Sequence, residues 1–519
     1  MNINEQLSIH AKQNPNHIAY IFHDQATSYS DFEQQVKNVS FGLAKLGYKK
    51  GDHLALIAWN SPYFLMTMYG ALRLGLVVIP INPMYTVNEM EYILKNGDVK
   101  AVIAMDVILD QLNDSMEQRL PNVRHFISCD TGEQVAQTDH SLFPRHLKFT
   151  ELFEIGKYPF EFLHIHEDDP AVILYTSGTT GHPKGTILSH RSVYYGAKSF
   201  AEHFQIKKSD RMITTLPMFH VFSLMVAVNG PLVHGATLLM MQDFSPREVF
   251  RLAKKYQATI FAGVPTMFSY LLQNDTDEFK KKESFQSIRL SVSGGSPFPV
   301  VMLREFQQLF GVQVIEGYGL TEAAPVTFNP DNGPIKPGSI GVCVPYMEAK
   351  VVDVFGEEVV DGIEGELVVK GAAMMKEYYK KPEETANALR ENWFYTGDIA
   401  YRDCEGYFYI VDRKKDVVIV NGYNVYPREV EEVLYKHPYV VEAAIVGRPH
   451  PNSGEEIIGF VVTDNHKVSA KELIQFCKRF LAEYKIPTSI EFMEELPRNT
   501  TGKILKTMLK QKAYEIEHK

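Results

Sequence analysis

Short apolar runs alternate with amphipathic segments along the first part of the chain. The runs Leu54–Trp59, Leu76–Ile81 and Ala101–Met105 are apolar enough for buried strands. Between them, Pro62–Leu74 and Asn88–Asn96 have the apolar spacing of helices. This strand–helix–strand rhythm predicts a layered α/β body with parallel-rich sheets.

The same rhythm returns farther along the chain and then changes. Apolar runs at Ala171–Tyr175, Arg211–Leu216 and Gln257–Ala262 each precede turn residues and a helical pattern, so the α/β body is expected to continue. Beyond Tyr346 the chain shows short strand patterns separated by Gly and Asp turns. That pattern predicts a small β subdomain.

After Asp412 the pattern predicts a compact α+β unit. Helices are expected at Pro427–His437, at Ala470–Tyr484 and after Gly502, with two strands between the first two helices. We place the domain boundary between Asp412 and Lys415. The chain is thereby divided into an N-terminal domain, 1–412, and a C-terminal domain, 413–519.

Composition and charge narrow the class of protein. With 519 residues the chain exceeds the size of one hydrophobic core, so several domains are expected. Asp and Glu outnumber Lys and Arg by 63 to 53, and the net charge of −10 argues against nucleic acid as a partner. The four cysteines lie far apart, which favours a reducing compartment. No signal peptide or membrane span is predicted. We therefore expect a cytoplasmic protein, for which peripheral membrane contact stays open.

The strongest chemical signal is YTSGTTGHPKG, from Tyr175 to Gly185, directly after an apolar strand. Its glycines expose backbone N–H groups, its hydroxyls donate hydrogen bonds, and Lys184 adds a positive charge, as a polyphosphate requires. The segment lacks the GxxxxGK[ST] spacing of a Walker A motif. It resembles the phosphate loop of the adenylate-forming superfamily of acyl-CoA synthetases, luciferases and peptide-synthetase adenylation domains. The resemblance implies ATP contacts from Thr176, Ser177, Gly178, Thr179, Thr180, Gly181 and Lys184.

Two further motifs resemble the adenine-binding segments of this superfamily. EGYGLTE, residues 316–322, is similar to its adenine and magnesium segment. The resemblance implies that Tyr318 stacks on adenine, that Thr321 contacts the α-phosphate beside Gly319, and that Glu322 binds Mg²⁺ together with Thr176. SGGSP, residues 293–297, is similar to the adenine-edge loop, which implies nucleotide contacts from Gly294, Gly295 and Ser296.

The remaining motifs follow in the order that the superfamily has. Asp398 in YTGDIA and Arg413 in IVDRKKD are implied to hold the ribose hydroxyls. Lys503 in LPRNTTGKILK resembles the lysine that stabilises charge in the first half-reaction, and His220 in PMFH is implied to face the acyl carboxylate. Lys415 is implied as the hinge of a mobile C-terminal domain. Segment 421–423, with Gly422 and Tyr423, resembles the lining of the pantetheine tunnel for coenzyme A.

The resemblance covers the chain from about Asn2 to Lys506 and implies an acyl-CoA synthetase. Such an enzyme uses ATP, Mg²⁺ and coenzyme A, and it converts an acid to acyl-AMP and then to acyl-CoA, with release of pyrophosphate and AMP. The apolar segments after His220 and at 261–268 favour a medium- to long-chain fatty acid. We expect the acyl pocket to include Phe219, Val221, Leu224 and Gly263.

Several alternatives stay open at this point. An aryl-CoA ligase of the coumarate or benzoate type has the same chemistry with a different pocket. An acyl-AMP ligase that loads a carrier protein is a second alternative. A silent protein of the same fold is disfavoured, because Lys184, Glu322, Asp398, Arg413 and Lys503 are all present. The oligomeric state is open, with a homodimer among the alternatives.

Overall fold

The computed structural model describes residues 2–130, 145–155, 164–176, 183–273, 281–464, 468–498 and 504–517. The strands within them are, in chain order, β1 Ile18–Phe22, β2 Gln25–Ser28, β3 His53–Ile57, β4 Val77–Pro80, β5 Val99–Met105, β6 His125–Cys129, β7 His146–Lys148, β8 Pro170–Thr176, β9 Lys184–Ser189, β10 Arg211–Thr214, β11 Thr237–Met240, β12 Ile260–Gly263, β13 Leu290–Ser293, β14 Val314–Leu320, β15 Ala323–Phe328, β16 Val342–Cys343, β17 Met347–Val352, β18 Gly365–Gly371, β19 Glu377–Tyr378, β20 Leu389–Arg390, β21 Trp393–Arg402, β22 Phe408–Arg413, β23 Val418–Val420, β24 Tyr423–Val425, β25 Val440–His450, β26 Gly454–Thr463 and β27 Ser489–Phe492.

The α-helices of the same residues are α1 Ile3–Gln13, α2 Tyr29–Lys45, α3 Pro62–Arg73, α4 Val87–Asn96, α5 Asp106–Arg119, α6 Phe149–Ile155, α7 His190–His203, α8 Gly230–Val233, α9 Pro246–Tyr256, α10 Pro265–Gln273, α11 Lys281–Ser284, α12 Val300–Phe310, α13 Pro382–Ala388, α14 Pro427–Tyr435, α15 Ala470–Cys477 and α16 Lys506–Glu517. A π-helix spans Ser223–Asn229 and a 3₁₀ turn spans Glu483–Lys485. Within this described part of the chain, no helix is long and apolar enough to cross a membrane.

Two large sheets form the body of the molecule. The first has the order β16-β15-β14-β13-β12-β10-β11-β1-β2, and the second β19-β9-β8-β4-β3-β5-β6-β7. The central strands of both sheets pair in parallel, and antiparallel pairs occur toward their ends. The predicted α/β body with parallel-rich sheets is confirmed.

Helices cover the two sheets and define where the core sits. One continuous core joins buried residues of both sheets with those of α2, α3 and α7. A second core of phenylalanines from β12, α9, α10 and α12 lies against the first sheet. The entry into α3 is encoded locally, because Ser61 accepts the N–H of Phe64 at 3.4 Å and Pro62 takes the first helical position.

One local prediction from the apolar runs is wrong. The run at Ala171–Tyr175 predicts a strand that leads into a helix, but β8 is followed by the antiparallel β9, and α7 begins only after β9. Thr176 lies opposite Lys184 in this pairing. The reason is that β9 pairs antiparallel with β8, so the chain runs back beside the strand that it has just left. This pairing holds Thr176 and Lys184, which flank the glycine-rich segment in sequence.

The β subdomain and the C-terminal unit follow the body. Strands β17, β18, β21, β20 and β22 form the subdomain sheet, and β24, β23, β26, β25 and β27 form the C-terminal sheet. On β25, Ala443 and Ile445 join one core while Ala444 and Val446 join the other, as the two-residue period of a strand requires. Helices α14 and α15 supply the first of these cores, and α16 the second.

The predicted helix Ala470–Tyr484 is shorter in the structure, where α15 ends at Cys477. Leu473 and Cys477 reach the core, whereas Phe480 is 52% exposed. Beyond Cys477, Leu481 and Tyr484 still pack against the same core, but the backbone there is not α-helical and forms a 3₁₀ turn at Glu483–Lys485.

A buried carboxylate joins the subdomain to the C-terminal unit. Asp412 accepts from its own neighbour Arg413 N at 2.7 Å and from Arg428 N, at the start of α14, at 2.9 Å. Arg428 also donates from Nη1 to Ile410 O at 2.9 Å. Burial raises the pKa of Asp412. These contacts hold the C-terminal unit against the end of β22 in this arrangement.

Candidate active site

A cavity of about 1140 Å³ opens where strands of both large sheets end. Thr176, the last residue of β8, lines it, as do Leu216, Val264 and Gly294, which follow β10, β12 and β13. The carboxyl ends of strands are where open α/β sheets leave a crevice for ligands. The cavity is therefore the candidate active site.

The cavity brings together most of the residues that the motifs pointed to. Those that line it are Thr176, Lys184, Phe219, His220, Val221, Gly294, Gly295, Ser296, Tyr318, Gly319, Thr321, Glu322, Asp398 and Arg413. Residues on the sheets, on the subdomain and on connecting loops thus converge from distant parts of the chain. Ser177, Gly178, Thr179, Thr180, Gly181 and Lys503 lie outside the described residues.

Tyr318, Asp398 and Arg413 form a connected polar group in this cavity. Tyr318 Oη donates to Asp398 Oδ2 at 2.5 Å, and Arg413 Nε lies 3.4 Å from Asp398 Oδ1. The antiparallel pairing of β21 with β22 sets Asp398 opposite Arg413. Burial raises the pKa of the Tyr318 hydroxyl well above its ordinary value, so that it remains a donor. A carboxylate held in this way can accept from both hydroxyls of a vicinal diol.

Glu316 anchors the loop that follows β13, although the sequence analysis gave it no role. Its carboxylate accepts from Phe298 N at 3.4 Å and from Gly338 N at 3.3 Å. Gly295, in the same loop, has φ of 82°, where glycine is favoured. Burial raises the pKa of Glu316 to about 7. Its place at the start of EGYGLTE was the signal that could have drawn attention to it.

Lys184 is held by groups that lie about two hundred residues away in the chain. Its Nζ forms an ion pair with Glu384 on α13, and it lies 5.4 Å from the centroid of the Tyr378 ring. The hydrogen bonds from Lys184 and from Lys381 lower the pKa of Glu384. Glu384 and Tyr378 were missed by sequence reasoning, because no motif includes them and only the pairing of β19 with β9 brings them near.

Glu322 lies in the same cavity and is oriented by a tyrosine. Tyr378 Oη donates to Glu322 Oε1 at 2.7 Å. Burial raises the pKa of Glu322, and the positive charges of Arg413 and Lys184 oppose that shift. A half-buried carboxylate in a cavity that is also lined by Thr176 fits the oxygen ligands that Mg²⁺ prefers. Within the described residues no group of three or more His, Cys, Asp or Glu could hold a metal, so phosphate oxygens would have to complete such a site.

His220 lies beside the apolar part of the lining. Its Nδ1 accepts the N–H of Phe222 at 3.3 Å, so that Nε2 is the ring nitrogen that can carry a proton. Apolar and aromatic side chains that line the cavity include Phe219, Val221, Val226, Phe244, Met267 and Tyr270. The cavity can therefore take a nucleotide and an apolar group together.

Two of the expected acyl-pocket residues do not line the cavity. Leu224 lies in the π-helix, is 1% exposed, and donates its backbone N–H to His220 O at 2.9 Å. A Cβ at Gly263 would lie 3.2 Å from the rings of Phe261 and Phe268, so this glycine makes room within the core. Val226 and Val264, close to them in sequence, line the cavity.

The predicted hinge and coenzyme A residues lie apart from the cavity lining. Lys415 is in the connection between β22 and β23, and burial lowers its pKa. Gly422, with φ of 82°, turns the chain from β23 into β24. Tyr423 is 60% exposed, and its ring stacks on Tyr484 with centroids 4.8 Å apart. Arg498 and Leu505 of the C-terminal unit do line the cavity.

Comparison with known proteins identifies related chains. Residues 7–379 match the family described as AMP-binding enzyme, and residues 429–503 match the AMP-binding enzyme C-terminal domain. A long-chain-fatty-acid–CoA ligase of Bacillus subtilis is 35% identical over 97% of this chain and 93% of its own length.

Solved structures agree over nearly the full chain. ATP-bound MatB from Rhodopseudomonas palustris is 30% identical, covers 99% of this chain and 100% of its own, and has a TM-score of 0.90. Apo MatB, with the same identity and coverage, has a TM-score of 0.79. An anthranilate CoA ligase in complex with anthranoyl-AMP is 26% identical, covers 100% of this chain and 98% of its own, and has a TM-score of 0.91.

Proposed function

Because the chain belongs to the family of AMP-binding enzymes, we propose that this acid–thiol ligase converts a medium- to long-chain fatty acid to its coenzyme A thioester. The fatty carboxylate attacks the α-phosphorus of ATP, which gives acyl-AMP and pyrophosphate. The thiol of coenzyme A then attacks the acyl carbon and displaces AMP. The observation that carries the proposal is one cavity that contains both the Tyr318–Asp398 pair and the apolar lining near His220.

Different residues of the chain have different roles in the formation of acyl-AMP. Asp398 accepts from the ribose hydroxyls, and Lys184 pairs with the outer phosphates. His220, with its proton on Nε2, donates toward the acyl carboxylate and fixes the attacking oxygen. Glu322 and Thr176 would hold Mg²⁺, whose charge offsets the negative charge of the phosphates and of the leaving pyrophosphate.

We further propose that residues 1–412 form the nucleotide-binding body and that 413–519 form a mobile domain with its hinge at Lys415. In support, β22 ends at Arg413 in the subdomain sheet, whereas β23 begins at Val418 in the C-terminal sheet. The first step suits the present arrangement, because Arg498 and Leu505 line the cavity and ATP-bound MatB is more similar to it than apo MatB. Lys503 lies between these two residues in sequence and would supply positive charge for adenylation.

The second step requires another arrangement of the C-terminal unit. Gly422 and Tyr423 do not line the cavity here, and Tyr423 is largely exposed on the β23–β24 turn. A rotation at Lys415 would bring this turn toward the acyl-adenylate to line the path of the pantetheine arm. Such domain motions are absorbed by the dihedral angles of a few hinge residues.

The identity of the acid is supported by the lining and by the relative from Bacillus subtilis, a long-chain-fatty-acid–CoA ligase. Side chains of Phe219, Val226, Phe244 and Met267 supply apolar surface of the kind that a hydrocarbon chain fills. An aryl-CoA ligase is the second candidate, because the likeness to the anthranilate CoA ligase has a TM-score of 0.91.

A substrate series separates these candidates. Burial of each CH₂ contributes about 0.8 kcal/mol, so each pair of added carbons should raise kcat/KM about fifteenfold until the pocket ends. Pyrophosphate release is measured for hexanoate to dodecanoate and for cinnamate-type acids, with and without coenzyme A. We expect a rise through dodecanoate and turnover of free coenzyme A. A coumarate that outperforms every fatty acid would favour the aryl-CoA ligase, and acyl-AMP without thioester formation would favour loading of a carrier protein.

A further inference from the structure

Lys184 faces two competing partners, one in the protein and one in the substrate. In the structure its ammonium is paired with the carboxylate of Glu384, and both side chains are partly exposed, at 27% and 32%. Lys184 lines the cavity, and the proposed function assigns it to the outer phosphates of ATP. A polyphosphate that binds there must take Lys184 from Glu384 or accept a carboxylate close to its own negative charges.

The surroundings of Glu384 make this exchange easy. Its second oxygen, Oε1, lies 3.0 Å from Lys381 Nζ, so the carboxylate keeps a cation when Lys184 turns to the phosphates. The ammonium of Lys184 also lies over the face of the Tyr378 ring, 5.4 Å from its centroid, and this cation–π contact does not depend on which anion Lys184 pairs with. Neither charge is therefore left uncompensated when the pair opens.

The position of Glu384 links it to the site and not only to local structure. It lies on α13, between β19, which carries Tyr378, and β20. Two residues at the C-terminal end of the same helix, Asn387 and Ala388, line the cavity. The helix thus presents the carboxylate to Lys184 from the wall of the nucleotide site.

We propose that Glu384 is the resting counter-ion of Lys184, which competes with the polyphosphate of ATP and with pyrophosphate and so promotes pyrophosphate release. The inference rests on the proposed function through the role of Lys184. Partly exposed ion pairs contribute modestly, so removal of the carboxylate should tighten polyphosphate binding by about two- to fivefold. The direction is opposite to that expected for a residue that merely supports the fold.

The test is calorimetric binding of the α,β-methylene analogue of ATP, of inorganic pyrophosphate and of AMP to the full chain in the presence of Mg²⁺. Glu384→Gln should bind the analogue and pyrophosphate about two- to fivefold more tightly than the wild type, with an unchanged affinity for AMP. The gain in affinity should disappear at high salt. Glu383→Gln is the matched control, because it removes the same charge one residue earlier on α13, where the side chain is exposed. It should bind all three ligands as the wild type does.

The lysine variant separates failure of this inference from failure of the proposed function. Lys184→Ala should weaken the analogue and pyrophosphate, and Glu384→Gln should tighten them much less in that background. If Lys184→Ala weakens binding while Glu384→Gln leaves it unchanged or weaker, the competing role of Glu384 is wrong and the phosphate site stands. If Lys184→Ala has no effect on either ligand, the role of Lys184 fails and this inference fails with it.

Discussion

Deletion of one hydroxyl, in Tyr318→Phe, tests how far nucleotide binding depends on the buried contact between Tyr318 and Asp398. The change keeps the ring that would stack on adenine and removes the 2.5 Å hydrogen bond to Asp398 Oδ2. Asp398 is 6% exposed, so water cannot readily replace the lost donor. Arg413 Nε remains 3.4 Å from the other oxygen and keeps the carboxylate in the site.

The size of the effect follows from these contacts. A hydrogen bond to a charged group contributes about 1.5–3 kcal/mol, and 1.36 kcal/mol corresponds to a factor of ten. Because Asp398 would bind the ribose in the ground state and in the transition state alike, the loss should appear in KM for ATP and little in kcat. We expect KM for ATP to rise about ten- to hundredfold.

The assay is pyrophosphate release at saturating fatty acid over a series of ATP concentrations. Tyr401→Phe is the control, since it deletes a hydroxyl three residues after Asp398 on β21, from a ring that stacks on Tyr409. It should leave KM for ATP unchanged. A Tyr318→Phe enzyme with a KM within twofold of wild type, or a Tyr401→Phe enzyme with the same defect, would refute the role given to the Tyr318–Asp398 contact.

Three further changes test other parts of the site. Tyr378→Phe removes the 2.7 Å hydrogen bond to Glu322 and should raise about tenfold the Mg²⁺ concentration that gives half-maximal pyrophosphate release; an unchanged Mg²⁺ dependence would contradict this. Burial raises the pKa of Glu316 from 4.5 to about 7, so its contribution to stability is full below about pH 4.5 and is lost as the pH rises through about 7. The thermal midpoint of Glu316→Gln minus that of the wild type, measured by scanning fluorimetry, should therefore increase from pH 5.5 to pH 8. A difference that stays constant over this range would exclude the titration of Glu316. Lys503→Ala should lose acyl-AMP formation by about a hundredfold and still convert supplied acyl-AMP to thioester; equal loss of both steps in a folded variant would show that the lysine has another role.

Much of the fold could be predicted from the chain because its signals are local. Apolar runs of strand length, helix spacing between them, and caps such as Ser61 before Pro62 each act over a few residues. The errors came where tertiary contacts decided the outcome. The run at Ala171–Tyr175 pairs with β9 instead of leading into a helix, and α15 ends at Cys477 although Leu481 and Tyr484 still pack against the same core.

The sequence by itself determined the family and the chemical class, because the nucleotide motifs are short and follow a set order along the chain. They are also rich in glycines, hydroxyls and charged residues of the kinds that bind phosphate, ribose and metal ions. It could not supply the partners that the motif residues meet. Tyr318 meets Asp398 and Lys184 meets Glu384 only through tertiary contacts between elements that are distant in the chain. Likewise, Leu224 and Val226 are both apolar, yet only Val226 lines the cavity. The position of a side chain relative to a cavity depends on the packing of several distant elements, and no single segment of sequence carries that information.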